Sequence, residues 1–209
     1  MPELYLIRHA QASFGAADYD VLSEKGHLQS EMLGRAMAKQ GIKPDLFVTG
    51  TQRRHRETLE GIVKGMGLPT LDPEIHFGLN EFNFRGLLEA YHRHSPPPEG
   101  MDTDRRSHFR TLRDTVLAWE KGEVVDPPET WEEFTTRVQE ARVSLARPNV
   151  DQVLAVSSGG AISQMIAAAL SAPPGEQIKL QRQMKNCGVS RFVYSESAIY
   201  FHGYNETPH

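Results

Sequence analysis

Cysteine, excess positive charge and long apolar runs are all scarce in this chain of 209 residues. Its one cysteine, Cys187, excludes an internal disulfide framework and a thiolate metal cluster. The formal net charge of -4 argues against a basic surface that binds nucleic acid. No apolar stretch approaches the length of a membrane span, and no charged-then-apolar leader opens the chain. We therefore expect a cytoplasmic protein whose partners include neither nucleic acid nor membrane.

The sequence does contain a regular alternation of strand-like and helix-like segments. Short apolar runs predict strands, and apolar residues at i, i+3, i+4 and i+7 predict helices between them. The predicted strands are residues 46–49, 153–157, 189–194 and 198–204, together with the apolar run within 4–10. Strand-then-helix order implies a mainly parallel sheet with helices on both faces, closed by late antiparallel strands. The sequence thus predicts an α/β fold, a three-layer α/β/α sandwich.

One domain over residues 1–209 is expected, with a helical insertion at 82–129 over the ligand end of the sheet. Residues 95–104 are rich in proline and acidic residues, which is a loop composition, and an amphipathic helix follows them. Thr130 and Glu133 have the spacing of a capping box, so another helix is predicted to begin there.

The first helix is predicted from its cap and its apolar spacing. Ser23 is the expected N-cap, and Gly41 is the expected stop. Leu28, Met32 and Ala36 lie four residues apart and are predicted to form the buried face.

The segment 4–10 contains the most informative junction, because its apolar run ends abruptly in Arg8 and His9. In an open α/β sheet the carboxyl ends of the strands form the ligand crevice. An imidazole attacks phosphorus only when it is neutral, and a neighbouring guanidinium both disfavours the imidazolium and holds a phosphate oxygen. The segment 49–58 repeats the pattern, since a strand again leads into a cation-rich helix start. Phosphate chemistry is therefore predicted.

Five sequence elements, in this order, resemble the histidine phosphatase superfamily, the phosphoglycerate-mutase-like proteins. They are Arg8-His9 after a strand, Leu22-Ser23 with Gly26 and Gln29, Thr49-Gly50 with Arg54 and Thr58, Leu79-Asn80-Glu81 with Gly86 and Glu89, and the strand within 153–160 that runs into a helix. The resemblance covers nearly the whole chain. It implies the fold predicted above and an enzyme that transfers phosphoryl groups.

The resemblance implies a role for four residues. His9 would be the nucleophile that takes up the phosphoryl group, and Arg8 and Arg54 would hold its oxygens. Glu81 occupies the general-acid position, where a facing phosphate would keep its carboxyl protonated. Arg53 is interpreted as part of a solvated helix face.

Two positions depart from the family pattern. Ala10 stands where the family usually has glycine, and Ser158 stands where it has a second histidine that donates a hydrogen bond to the phosphoryl oxygens. Ser158 precedes Gly159 and Gly160 at a predicted helix start. We expect its hydroxyl and the N–H groups of both glycines to face the anion.

We expect a phosphatase that hydrolyses a small phosphorylated substrate through a phosphohistidine and needs no cofactor. Gln11 and Ser13 follow the nucleophile and are further candidates for phosphate binding. Two alternatives stay open. A catalytically weak phospho-ligand-binding or regulatory protein is favoured by Ser158. A phosphoglycerate-type mutase is disfavoured, because the family's mutases have longer chains and a Trp- and Asn-containing segment after the nucleophile.

The other histidines are assigned no role in catalysis. His92 and His94, with Glu89 nearby, could suggest a metal site, but residues two apart on a helix diverge, so no metal is expected. His55 is interpreted as a surface or partly buried polar residue, as are His27, His76, His108 and His202. The sequence leaves the oligomeric state open, a dimer included.

Overall fold

A computed structural model describes residues 1–13, 20–93, 105–147, 149–195 and 198–208, without the side chains of residues 105, 106 and 108. The strands are β1 Glu3–Arg8, β2 Leu46–Thr49, β3 Glu74–Ile75, β4 Gln152–Ser157, β5 Val189–Tyr194 and β6 Ile199–Glu206. The α-helices are α1 Glu24–Lys39, α2 Arg53–Gly65, α3 Phe84–Tyr91, α4 Arg105–Glu120, α5 Trp131–Leu145, α6 Gly159–Ala169 and α7 Glu176–Gln183. A short 3-10 helix spans Phe77–Leu79.

The six strands form one sheet in the order β3-β2-β4-β1-β5-β6. The pairs β3-β2, β2-β4 and β4-β1 are parallel, and the pairs β1-β5 and β5-β6 are antiparallel. The predicted mainly parallel sheet with late antiparallel strands is confirmed. β3, only two residues long, was not predicted, since so short a strand has no alternation to read.

Helices cover both faces of the sheet, because successive strand residues point to opposite sides. Leu4 and Leu6 of β1 belong to the core that includes α4, α5, α6 and α7. Tyr5 and Ile7 of the same strand belong to the core formed with α1 and α2. The three-layer α/β/α architecture is therefore confirmed.

The buried face of α1 differs from the prediction. Leu28 is 63% exposed and Met32 is 50% exposed, whereas Leu33 and Met37 are fully buried. The helix approaches α2 through small residues: a Cβ at Gly34 would lie 2.1 Å from the carbonyl oxygen of Ile62. Apolar spacing alone does not choose between the two faces, because Leu33 and Met37 are four residues apart just as Leu28 and Met32 are. The predicted cap at Ser23 and the stop at Gly41, where φ is +79°, are confirmed.

The segment predicted as an insertion contains α3 and α4, which pack on the core shared with α5 and α6 through Leu87, Val116 and Trp119. Thr130 and Glu133 form the predicted capping box at the start of α5. The predicted loop at 95–104 lies outside the described residues. That the segment 82–129 covers the ligand end stays a prediction.

The parallel register aligns the carboxyl ends of three strands. Arg8 of β1 pairs with Ser157 of β4, and Val156 of β4 pairs with Thr49 of β2. Each strand then leads directly into a loop or helix start, so the residues that follow are neighbours in space. This edge is where the sequence places its candidate functional residues.

Candidate active site

His9 immediately follows β1 and is 6% exposed. Its Nδ1 lies 2.8 Å from the carbonyl oxygen of Ala10. Because a carbonyl only accepts hydrogen bonds, Nδ1 carries the proton and Nε2 keeps its lone pair. Burial, reinforced by the charges of Arg54 and Arg8, lowers the pKa of His9 to about 3. His9 is therefore a neutral imidazole with one nitrogen available to attack an electrophile.

Arg54 lies in the first turn of α2 and is 7% exposed. Its guanidinium donates to Asp20 Oδ1 at 2.7 Å and to the side-chain oxygen of Gln52 at 2.8 Å. Arg53, one residue earlier, instead pairs with Glu57 at 2.6 Å, with its side chain 54% exposed. The structure thus brings Arg54 and not Arg53 toward His9. Asp20 and Gln52 were not identified from the sequence.

Arg8 is the last residue of β1 and the second cation near His9. Its Nη1 donates to the carbonyl oxygen of Met184. A Cβ at Gly159 would lie 3.6 Å from the Arg8 Nε, so the start of α6 runs beside this guanidinium. Two cations, from β1 and α2, therefore converge on one neutral imidazole.

Glu81 follows the short 3-10 helix and points into the start of α6. Its Oε2 accepts the Gly160 N–H at 3.0 Å, and its own backbone N–H donates to the Gln52 side chain at 3.1 Å. A Cβ at Gly160 would lie 2.1 Å from Glu81 Oε1, so only glycine allows this approach. Burial raises the pKa of Glu81, against opposing effects from the Gly160 N–H, Arg54 and Arg8.

The expectation that the Gly160 N–H faces an anionic ligand is wrong in this structure. That N–H is occupied by the Glu81 carboxyl group. The helix N-terminus therefore positions the candidate general acid. Gly159 stays a candidate for the anion, beside Arg8.

Ser158 is fully buried at the N-cap position of α6. Within the described turn that follows, no backbone N–H donates to its side chain. Its Oγ instead lies 2.7 Å from Nε2 of His55 and 3.5 Å from the side-chain oxygen of Gln52. An ordinary helix cap is therefore not its role.

His55 is another residue of the site that sequence reasoning missed. It is fully buried, not at the surface, and its ring centroid lies 5.7 Å from that of His9. Burial, together with the positive charge of Arg54, lowers the pKa of His55 well below its usual value. One signal was available: His55 directly follows Arg54 at the start of α2, so it shares the helix turn that faces the site.

Gln11 and Ser13 lie on the loop after His9. The Gln11 N–H donates to the Gln29 side chain at 3.1 Å, and the Ser13 N–H donates to the Val21 carbonyl oxygen at 2.8 Å. These backbone bonds fix the start of the loop. A phosphate contact from either side chain stays a prediction.

The described residues contain no group of three or more His, Cys, Asp or Glu side chains that could hold a metal ion. His94 and the side chain of His108 lie outside what is described. Across the described part of the chain, no helix is both long and apolar enough to cross a membrane.

Known proteins share this sequence pattern and fold. A 2,3-bisphosphoglycerate-dependent phosphoglycerate mutase of Bartonella tribocorum is 25% identical over 187 residues, which cover 84% of each chain. A phosphoglycerate mutase of Bacillus anthracis has a similar structure, with a TM-score of 0.68 and 20% identity over 99% of this chain and 93% of that one. A mycobacterial glucosyl-3-phosphoglycerate phosphatase also has a TM-score of 0.68, with 20% identity over 99% of this chain and 100% of that one.

The expectation that mutases are longer fails for the Bartonella tribocorum relative, because one alignment covers 84% of both chains. The pattern of the histidine phosphatase superfamily (branch 1) matches residues 4–207. That match extends over almost the whole chain and includes the junctions that hold His9, Arg54, Glu81 and Ser158. The chain belongs to the histidine phosphatase superfamily.

Proposed function

We propose that this protein hydrolyses a small phosphomonoester through a phosphohistidine on His9. The observation that carries the proposal is the state of His9: its Nδ1 proton is held by the Ala10 carbonyl, which leaves the Nε2 lone pair for phosphorus. Arg8 and Arg54 supply fixed positive charge beside it. Charge on the transferring group is thereby met by preorganised cations, usually the largest contribution to such catalysis.

In the first step, His9 Nε2 forms a bond to phosphorus while the bond from phosphorus to the ester oxygen breaks. Glu81 gives its proton to the departing alkoxide, which leaves as an alcohol. The raised pKa of Glu81 supports this role, since a protonated carboxyl group is needed at the start.

In the second step, water attacks the phosphorus of the phosphohistidine. The Glu81 carboxylate takes a proton from that water, and the bond from phosphorus to Nε2 breaks. Inorganic phosphate leaves, and both residues return to their starting protonation states. One carboxyl group thus acts first as acid and then as base.

A mutase is the second candidate function, because the Bartonella tribocorum relative carries that name. A mutase would return the phosphoryl group of His9 to a second hydroxyl of the substrate, not to water. Incubation with 3-phosphoglycerate and catalytic 2,3-bisphosphoglycerate separates the two. Release of phosphate supports hydrolysis, and accumulation of 2-phosphoglycerate without phosphate release supports the mutase.

The proposal is tested by trapping the intermediate. Turnover of a 32P-labelled phosphomonoester is quenched, and we expect acid-labile, alkali-stable label on His9. His9→Ala should abolish both label and hydrolysis. His27→Ala, which removes an exposed histidine on α1, is the matched control and should behave as wild type. Full activity in His9→Ala would rule the mechanism out.

A further inference from the structure

His55 is a buried imidazole without an assigned task, and two of its contacts define its state. Its Nε2 lies 2.7 Å from Ser158 Oγ. Its Nδ1 is buried, and none of the described residues forms a hydrogen bond with it. A buried N–H without an acceptor costs more than a buried lone pair without a donor. The proton therefore belongs on Nε2, and His55 donates to Ser158.

Because His55 donates to Ser158 Oγ, the Ser158 hydroxyl can donate its own proton to another acceptor. A serine hydroxyl has one proton and two lone pairs, and here one lone pair accepts from His55. The nearest acceptor described for the hydroxyl proton is the Gln52 side-chain oxygen, at a long 3.5 Å. That oxygen already accepts from Arg54 at 2.8 Å and from the Glu81 N–H at 3.1 Å. An anionic oxygen would be a better acceptor than this shared amide.

The absence of a side chain at Gly50 leaves space for the His55 ring. A Cβ at Gly50 would lie 2.3 Å from His55 Nδ1 and 2.5 Å from Asn80 Oδ1. The Asn80 side chain is itself fixed, because its Oδ1 accepts the Thr51 N–H at 2.8 Å and its Nδ2 donates to Thr51 Oγ1 at 2.6 Å. Glycine at position 50, directly after β2, is therefore required for the His55 ring to lie beside Ser158.

We propose that His55 is a positioning residue that holds the Ser158 hydroxyl so that its proton is donated to an oxygen of the phosphoryl group on His9. The inference rests on the proposed function. Histidine and serine together then supply, from α2 and α6, the donor that a single histidine at position 158 supplies in the family pattern. In this chain the imidazole is at position 55, and the Ser158 hydroxyl lies between it and the anion.

A purely structural role would fill the same volume. His55 would then be replaceable by any ring of similar size, and nothing would require a donor facing Ser158. The hydrogen bond at 2.7 Å between two fully buried side chains, beside a nucleophile ring at 5.7 Å, is what a volume-filling role leaves unexplained.

The test is a double-mutant cycle read by orthovanadate affinity and by kcat. Ser158→Ala removes the hydroxyl, and His55→Phe keeps a ring but removes the donor. We expect each to weaken orthovanadate binding about threefold to tenfold, the value of one neutral hydrogen bond, and to lower kcat about 100-fold, as loss of an oxyanion donor does. The double variant should resemble either single variant, because both remove the same interaction. His55→Gln, whose amide can donate to Ser158, should retain more kcat than His55→Phe.

Transposition gives a second, independent measurement. Ser158→His alone should be inactive, because its ring would occupy the space of the His55 ring. The pair His55→Ala with Ser158→His should recover at least tenfold in kcat over His55→Phe, since an imidazole donor again reaches the site. Urea unfolding of every variant separates loss of fold from loss of function.

Each outcome decides the inference separately from the proposed function. If His55→Phe keeps wild-type orthovanadate affinity and kcat, or if the effects of the two single variants multiply, the inference is wrong while phosphohistidine formation on His9 stands. If wild type forms no phosphohistidine, yet His55→Phe and Ser158→Ala both lose orthovanadate affinity without additivity, the inference holds for oxyanion binding and the proposed function fails. If wild type does not bind orthovanadate, the inference is overturned. Should His55→Phe fail to fold, Ser158→Ala and His55→Gln decide by the same criteria.

Discussion

Burial is the largest influence on the pKa of three side chains near the carboxyl ends of the strands: His9, His55 and Glu81. It lowers the pKa of His9 to about 3 and lowers that of His55, so both imidazoles are neutral near pH 7. The same burial raises the pKa of Glu81, which favours the protonated acid. One physical cause therefore favours the neutral form of all three side chains, because desolvation disfavours the charged form.

Replacement of Glu81 tests its role as the proton source. An alkyl alcohol needs a proton as it leaves, whereas nitrophenolate leaves without one. Glu81→Gln should therefore slow hydrolysis of an alkyl phosphate about 100-fold or more and that of nitrophenyl phosphate much less. Steady-state kcat on both substrates measures the difference. An equal loss on both would exclude the leaving-group role.

Glu81→Gln, which lowers activity, should increase stability at high pH. A carboxyl group whose pKa is raised by folding stabilises the protein below its unfolded pKa, and this contribution is lost as pH rises through the folded pKa. Since the pKa of Glu81 is raised above 4.5, Glu81→Gln should increase the free energy of unfolding at pH 8 relative to wild type and change it less at pH 4. Urea unfolding at the two pH values measures this. A Glu81→Gln variant that is less stable than wild type at pH 8 would contradict the argument.

At the scale of elements, the Thr58 hydroxyl joins the loop after His9 to helix α2. Thr58 Oγ1 accepts the Ala10 N–H at 3.0 Å and donates to the Arg54 carbonyl oxygen at 2.7 Å. Thr58 is fully buried, so neither partner can turn to water instead. The end of β1 and the first turn of α2 are thereby held together, and with them His9 and Arg54.

Removal of that hydroxyl should affect stability and catalysis together. Thr58→Val keeps the shape of the side chain and leaves the Ala10 N–H buried without a partner, at a cost of about 1–3 kcal/mol in the free energy of unfolding. We also expect kcat to fall, because His9 loses its fixed distance from Arg54. Thr58→Ser keeps the hydroxyl and is the control. Urea unfolding and kcat measure both effects, and a Thr58→Val variant with wild-type kcat would separate this contact from catalysis.

The order of elements was predictable from the sequence, whereas several of their contacts were not. The strands other than β3 and the ends of α1 follow from apolar runs, a serine cap and a glycine with positive φ, which are local signals. The prediction of the buried face of α1 was wrong because two apolar stripes have the same spacing, and the close approach of α2 at Gly34 decides which one is buried. His55 was missed because its hydrogen-bond partner, Ser158, lies 103 residues away in the sequence. Partners so far apart in sequence leave no periodic pattern.

Over the whole molecule, the site joins four separated stretches of chain that only the folded sheet brings together. Arg8 ends β1 and His9 follows it, α2 contains Arg54 and His55, Glu81 lies two residues after the 3-10 helix, and Ser158 precedes α6. An anion that contacts several of these stretches binds the folded state and not the unfolded chain. Its binding free energy therefore adds to the stability of the entire protein.

Orthovanadate should accordingly raise the melting temperature, and the rise should depend on Arg54. At a concentration 100 times its Kd, a ligand adds about 2.7 kcal/mol to the free energy of unfolding, which is about 5–10 °C in Tm for a chain of this size. Arg54→Ala should lose most of that increment, because the buried cation facing His9 is gone. Arg53→Ala is the matched control, since its exposed side chain pairs with Glu57 on the outer surface of the same helix. Thermal scans with and without orthovanadate compare the increments rather than the melting temperatures, so any destabilisation by the substitution itself cancels. Equal increments in the two variants would place the anion away from Arg54 and would remove the electrostatic basis of the proposed function.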